Sequence, residues 1–159
     1  MAYKRILLKI SGESLSGDKN YGISTSMLQY YADEIKTVYD KHIQTAIVIG
    51  GGNIFRGLQG VDVGFDRLQG DYMGMLATII NSMALQTQLQ SMGMKAVVLS
   101  GLVIDPLCKK MSSQRAIHYL EAGYVVIIGG GTGNPFFTTD SSGALRALEI
   151  KADILLKGT

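Results

Sequence analysis

Cysteine, tryptophan and proline are scarce in this sequence, which has one, none and two of them among its 159 residues. The lone Cys108 cannot form an intramolecular disulfide, and neither it nor His42 and His118 shows the spacing of zinc ligands. These 159 residues include no apolar signal segment, and their apolar runs are too short to span a bilayer. We therefore expect a cytoplasmic protein with no membrane partner and no dedicated metal site.

Blocks of one charge sign are also lacking. The 15 basic and 13 acidic residues are dispersed, with no Lys/Arg block to follow a phosphodiester backbone, so no nucleic acid partner is expected. By contrast, 47% of the residues are hydrophobic and the mean hydropathy is +0.19, which favours a buried sheet together with a subunit interface. We expect a single domain that assembles into a homo-oligomer.

The hydrophobic pattern predicts alternating strands and helices. Short apolar runs predict five strands, at residues 4–10, 45–49, 96–99, 124–128 and 153–156. Apolar residues three and four apart predict helices through Leu28, Tyr31, Ile35 and Val38 and through Tyr72, Leu76, Ile79 and Met83. Shorter helices are expected at 113–122 and 141–151, and a mobile surface loop at 56–70. Uniformly apolar strands separated by helices indicate an α/β sandwich, with a mainly parallel sheet covered on both faces.

Glycine-rich loops follow four of these strands, at the sheet edge where α/β proteins bind ligands. They begin at Ser11, Gly50, Gly129 and Gly158. The densest, GGGTGNPFFTTD at residues 129–140, lies between a strand and a helix, so its backbone N–H groups suit a phosphate. The alternative is an ordinary turn, which glycines and an Asn-Pro pair also favour.

Familiar catalytic and nucleotide-binding patterns are absent. Neither the Walker pattern nor a complete G-x-G-x-x-G occurs, and residues 12–16 narrowly miss the G-x-S-x-G nucleophile elbow. P-loop, dinucleotide-binding and serine hydrolase chemistry are therefore not supported.

Charged residues flank the glycine loops. Lys9, Arg56 and Lys157 together suit a polyphosphate, although each alone could be a solvated strand-end charge. Asp140 would repel a phosphate unless cations hold it, and Lys9 and Lys157 could hold it while facing a transferring phosphoryl group. Asp71 and Asp140 could instead be simple helix N-caps.

Five motifs in order resemble the bacterial uridylate kinases of the amino acid kinase family. They are YKRILLKISGE, VIGGGNIFRG, GDYMGMLAT, GTGNPFFTTD and ADILLKGT, and they extend over essentially the whole chain. The resemblance implies the amino acid kinase fold and transfer of the ATP γ-phosphoryl group to UMP, giving UDP and ADP in pyrimidine biosynthesis. It also implies Mg²⁺ carried with ATP, a homohexamer and responses to GTP and UTP.

The same resemblance implies roles for individual residues. Catalysis would involve Lys9, Arg56, Asp140 and Lys157. ATP would contact Lys9, Ile10, Ser11, Gly12, Gly52, Arg56 and Thr159. UMP would contact Gly51, Asp71, Thr132, Gly133, Asn134, Pro135, Phe136, Phe137, Thr138 and Thr139. Asp71 would accept hydrogen bonds from the ribose hydroxyls.

The family pattern continues beyond the point where this sequence stops. Residues 1–159 would form the acceptor-binding portion and phosphate edge of one amino acid kinase domain, without the segment that holds the ATP base. Such a chain is expected to bind UMP with little or no kinase activity.

Two other functions stay open at this point. One is another amino acid kinase with a carboxylate or carbamate acceptor, which should offer that acceptor an arginine. The other is a module that binds a nucleotide without catalysis.

Overall fold

The computed structural model describes residues 2–55, 64 and 66–158. Its strands are β1 Arg5–Ile10, β2 Gln44–Ile49, β3 Ala96–Ser100, β4 Lys109–Lys110, β5 Val125–Gly129 and β6 Ile154–Gly158. Its α-helices are α1 Thr25–Tyr39, α2 Arg67–Ser91, α3 Ser113–Glu121 and α4 Thr139–Glu149. A 3-10 segment, Gly12–Lys19, follows β1 and is interrupted at Gly17.

Within the described residues the six strands form one sheet in the order β4-β3-β5-β2-β1-β6, and every pairing is parallel. Parallel neighbours need long connections, and α1 to α4 supply most of these. The predicted α/β fold with a mainly parallel sheet is thus confirmed. Since all strands point the same way, their glycine-rich carboxyl ends meet at one edge.

Both faces of the sheet are buried, which explains why its strands are apolar throughout. On one face Ile47 and Ile127 pack with α1 and α2, and on the other Val48 and Val126 pack with α3 and α4. Each fully buried aliphatic side chain contributes about 1.5–3 kcal/mol. Successive residues of one strand therefore support opposite layers of the sandwich.

The start of α2 differs from the prediction. Asp66 caps this helix by accepting a hydrogen bond from Gln69 N at 2.7 Å, so the helix begins at Arg67. The expected loop at 56–70 is therefore wrong at residues 67–70, while residues 56–63 and 65 lie outside the described part. Asp71 lies inside the helix and is not its N-cap.

Two further elements were not predicted, and one cap is reassigned. Strand β4 has only two residues, and the 3-10 segment is too irregular for an apolar pattern to indicate it. The α4 helix begins at Thr139, with Thr138 Oγ1 accepting from Ser141 N at 3.0 Å. Asp140 lies in the first turn and is not the cap.

In the part of the chain that the structure describes, no helix is both long enough and apolar enough to cross a membrane.

Candidate functional site

The loops after β1 and β2 pack directly against each other at the carboxyl edge of the sheet. Gly50 N donates to Ile10 O at 2.9 Å, and Ser11 Oγ donates to Glu13 Oε2 at 3.0 Å. A Cβ on Gly12 would lie 2.6 Å from the Gly50 carbonyl carbon and 2.8 Å from Gly52 N, so only glycine fits there. Four residues predicted for the donor site, Ile10, Ser11, Gly12 and Gly52, are thus brought together.

A cluster of two lysines and one aspartate, hereafter the lysine–aspartate cluster, lies beside these loops. Lys9 and Lys157 are register partners on β1 and β6. Lys9 Nζ lies 3.4 Å from Asp140 Oδ1, and Lys157 Nζ lies 3.1 Å from Asp140 Oδ2. The carboxylate therefore bridges the two ammonium groups, one on each oxygen.

The lysine–aspartate cluster is open to solvent at Asp140 and Lys157, whereas Lys9 is largely buried. Its side chains are 14% (Lys9), 57% (Asp140) and 56% (Lys157) exposed, and it lines an open cleft of about 300 Å³. The hydrogen bond from Lys157, followed by the charges of Lys9 and Lys157, lowers the pKa of Asp140 below its usual value. The first turn of α4 also favours a negative charge. The cluster consequently presents two fixed ammonium groups to any anion in this cleft.

A second cleft, of about 220 Å³, lies between α2 and the loop at residues 130–138. We call it the acceptor cleft, after the residues predicted for the acceptor that line it. Among the residues predicted for the site, its walls include Gly51, Gly52, Asp71, Phe137, Thr138 and Thr139. A Cβ on Gly51 would lie 2.8 Å from Ala77 Cβ, so the close approach of this loop to α2 requires glycine.

The remaining predicted acceptor residues lie in the loop but do not line the acceptor cleft. Thr132 Oγ1 accepts from Asn134 N at 3.2 Å, and Gly133 N donates to Gly130 O at 3.0 Å. Pro135 follows in the same loop, and Phe136 N donates to Asp71 Oδ2 at 2.5 Å. These residues therefore shape the loop and tie it to α2. Arg56 and Thr159, also predicted for the site, lie outside the described residues.

Side chains that the sequence did not single out hold the loops in place. Asn81, fully buried on α2, donates from Nδ2 to Gly50 O at 2.8 Å and to Asn53 Oδ1 at 2.7 Å. Asn53 in turn donates to Asn81 Oδ1 at 3.1 Å and to Gly22 O at 2.9 Å. Thr78 Oγ1 accepts from Gly130 N at 2.7 Å. We call Asn53, Thr78 and Asn81 the buried clamp.

A fourth buried polar residue, Arg146 on α4, supports the same loop from the other side. Its Nη2 donates to Gly131 O at 2.9 Å, and its Nη1 lies 2.8 Å from Glu149 Oε1. The three clamp residues and Arg146 could have been noticed in the sequence as polar side chains in or beside apolar segments. Nothing in the sequence, however, identified their hydrogen-bond partners. The loop backbone is therefore held from α2 and from α4.

The described residues contain no group of three or more His, Cys, Asp or Glu side chains that could hold a metal ion. Asp140, the carboxylate of the lysine–aspartate cluster, already has an ammonium group on each oxygen. It is therefore better suited to orienting cations than to ligating a metal.

Curated relatives are similar over nearly the whole chain. The uridylate kinase of Bacteroides thetaiotaomicron is 56% identical over 157 residues, which cover 99% of this chain and 66% of the relative. The uridylate kinase of Bartonella bacilliformis is 53% identical, covering 100% of this chain and 66% of the relative. The chain thus spans 66% of the length of these relatives.

Solved structures and a family profile agree with these similarities. The crystal structure of UMP kinase from Bacillus anthracis superimposes with a TM-score of 0.95 at 39% identity, covering 100% of this chain and 66% of that one. The amino acid kinase family profile matches residues 4–159. The resemblance indicated by the five motifs is confirmed, and the chain belongs to the amino acid kinase family.

Proposed function

We propose that this chain is the acceptor-binding part of a nucleoside monophosphate kinase that transfers the ATP γ-phosphoryl group to UMP, giving UDP and ADP. The observation that carries the proposal is the lysine–aspartate cluster beside the acceptor cleft, in a chain whose relatives include uridylate kinases. The reaction would serve pyrimidine nucleotide biosynthesis in the cytoplasm.

On this proposal, UMP occupies the acceptor cleft. Asp71 accepts hydrogen bonds from the ribose hydroxyls, because a carboxylate is an acceptor only and would repel the phosphate. Gly51 and residues 137–139 line the cleft beside the nucleotide, and residues 132–136 shape the loop that closes over it. The N-terminus of α4 faces the phosphate. Among the described residues that line the cleft there is no lysine or arginine, which disfavours a carboxylate substrate.

The donor phosphates lie along the loops after β1 and β2, where Ile10, Ser11, Gly12 and Gly52 converge. Arg56 and Thr159 are proposed to join them on the strength of the resemblance alone. Mg²⁺ is proposed to arrive with the ATP phosphates as part of the substrate.

Transfer needs no nucleophile from the protein. An α-phosphate oxygen of UMP attacks the γ-phosphorus, the new P–O bond forms, and the bond to the β-bridging oxygen breaks to release ADP. Lys9 and Lys157 neutralise the charge on the transferring group, while Asp140 fixes both ammonium groups before substrate binds. Such preorganised electrostatic contacts are each worth about 10²–10³ in rate.

Assembly and regulation belong to the same proposal. Leu68, Tyr72, Leu76, Ile80 and Met83 form an exposed apolar strip along α2, which supports a subunit interface. From the resemblance we propose a homohexamer that responds to GTP and UTP. Light scattering with and without these nucleotides tests both points, and a monomer in every condition would contradict the assembly.

Binding and transfer should be tested separately. Titration calorimetry with UMP, CMP, N-acetylglutamate and aspartate should give heat of binding for UMP and none for the two amino acids. UDP formation should then be measured for this chain and for a chimera that adds the C-terminal third of the Bacteroides thetaiotaomicron relative. We expect binding by both proteins and robust transfer by the chimera. Binding without transfer by the chimera would leave only a nucleotide-binding module.

A further inference from the structure

Three side chains meet at one corner of the acceptor cleft, and one of them has no role in the function proposed above. Arg67 Nε lies 3.7 Å from Asp71 Oδ2, and the Arg67 guanidinium carbon lies 5.4 Å from the centre of the Phe136 ring. Phe136 N donates to the same Asp71 oxygen at 2.5 Å. Arg67 therefore contacts both the α2 wall and the loop wall of the cleft.

The two contacts to Asp71 leave part of its carboxylate for a ligand. Both use Oδ2, and Oδ1 takes part in neither. Asp71 lines the acceptor cleft with its side chain 19% exposed, and a carboxylate can accept about four hydrogen bonds. Asp71 can consequently hold the loop closed and accept a ligand hydroxyl at the same time.

Arg67 is placed to hold Asp71 and Phe136 together rather than to contact a ligand. We call these three residues the brace. Arg67 precedes Asp71 by one helical turn, where side chains four residues apart are neighbours. Its side chain is 58% exposed and is not among the residues that line the cleft. A planar guanidinium can pair with a carboxylate and stack on an aromatic ring, whereas an ammonium group does neither equally well.

We propose that Arg67 is a positioning residue that sets the selectivity of the acceptor site for ribose over deoxyribose. It holds the Asp71 carboxylate and the Phe136 segment in one arrangement, with Oδ1 directed toward the sugar. The inference rests on the proposed function, since it assumes that Asp71 accepts a hydrogen bond from a ribose hydroxyl of UMP.

The test compares the Kd values of UMP, 2′-deoxy-UMP and 3′-deoxy-UMP by titration calorimetry of this chain. Each deoxy analogue gives a ratio of its Kd to the Kd of UMP. We call the larger of these two ratios the deoxy penalty. We expect Arg67→Met to lower the deoxy penalty about 3- to 10-fold, because it removes an exposed charge pair and a cation–π contact together. Arg67→Lys should retain part of the deoxy penalty, and Asp71→Asn should give the smallest deoxy penalty of the variants.

Phe136→Leu probes the other side of the brace. It keeps the backbone N–H but removes the ring, so it should lower the deoxy penalty in part, and adding Arg67→Met should have less than an additive effect. The matched control is Lys36→Met. It removes another exposed i,i+4 ion pair, between Lys36 of α1 and Asp40 just after this helix, and should leave the deoxy penalty unchanged.

Different failures point to different errors. No UMP binding by the unmodified chain would overturn the proposed function itself. UMP binding with no deoxy penalty, or an unchanged penalty in Arg67→Met and Phe136→Leu, would overturn the role of Arg67. Equal weakening of UMP and both deoxy analogues would assign Arg67 a purely structural role, which also overturns the proposal. If Arg67→Met fails to fold, the comparison of Arg67→Lys with Phe136→Leu decides.

Discussion

The lysine–aspartate cluster and the buried clamp lie at the same edge of the sheet but are built in opposite ways. The cluster consists of charged side chains, of which Asp140 and Lys157 are more than half exposed. The clamp consists of neutral amide and hydroxyl groups that are almost wholly buried. Exposed ion pairs contribute about 0–1 kcal/mol to stability, whereas an unpaired buried polar group costs about 1–3 kcal/mol.

The difference in charge and exposure shows that the clamp and the cluster have different roles. The clamp fixes the backbone of the glycine loops, which lack side chains of their own to do so. The cluster places charge where a ligand can reach it, and its exposure leaves it little influence on folding. We therefore expect substitutions in the cluster to affect chemistry and substitutions in the clamp to affect stability.

The sharpest test of this division is Asp140→Asn in the chimera described above. Loss of the negative charge releases the two ammonium groups, and the rate of UDP formation should fall about 10²–10³-fold, which corresponds to about 3–4 kcal/mol. The Kd for UMP should not change. A coupled assay for ADP and calorimetry with UMP give the two measurements.

Asp40→Asn is the matched control for this substitution. Asp40 is also 57% exposed and pairs with a lysine, Lys36, at 2.9 Å, but it lies at the end of α1. The substitution Asp40→Asn should leave the rate of UDP formation unchanged. Unaltered turnover in Asp140→Asn, or an equal loss in both variants, would remove Asp140 from the mechanism.

The second test, Asn81→Leu, breaks the clamp with little change in volume. It leaves Gly50 O and the Asn53 amide without their buried partner, so the free energy of unfolding should fall by about 2–4 kcal/mol. Urea unfolding followed by circular dichroism measures the change. The control is Gln88→Leu. Gln88 is a partly exposed residue of α2 that donates to Gln29 Oε1, and its substitution should change the free energy of unfolding by about 0.5 kcal/mol or less. Similar values for both variants would contradict the role of the clamp.

The smallest expected effect is the dependence of the cluster on pH. The pKa of Asp140 is lower in the folded chain, chiefly because of the Lys157 hydrogen bond, so its pairing stabilises the fold above the unfolded pKa of about 4. This contribution is lost as the pH falls through the lower folded value. The stability difference between the unmodified chain and Asp140→Asn should therefore shrink between pH 6 and pH 3. A difference that is constant or grows on acidification would contradict this assignment.

The sequence predicted the sheet well because each long strand is a continuous apolar run. The run at residues 45–49, for example, corresponds to β2 at Gln44–Ile49. Strand β4 and the start of α2 were missed because neither has an apolar repeat. The spacing of Tyr72, Leu76, Ile79 and Met83 predicted the helix correctly, but only Ile79 is buried.

The site was predicted in part. Lys9, Asp140 and Lys157 were expected to meet. The parallel register of β1 and β6 pairs the two lysines, and the first turn of α4 brings Asp140 to them. The roles of individual residues stay predictions until ligands are measured. Asn81 and Arg146 were missed because a polar residue within a helix does not reveal its partner, and Asn81 bonds to a residue 28 positions away.

The pairing of β1 with β6 also sets when the cluster can form. Asp153 Oδ2, just before β6, accepts a hydrogen bond from Arg5 N across a separation of 148 residues. At a synthesis rate of about 5–20 residues per second, roughly 7–30 s pass between the making of β1 and of β6. Until β6 docks, Lys9 lacks the neighbouring Lys157 and an edge of β1 stays unpaired. The charge arrangement proposed for phosphoryl transfer therefore exists only in chains whose sheet is complete, so a nascent or partly folded chain cannot use it.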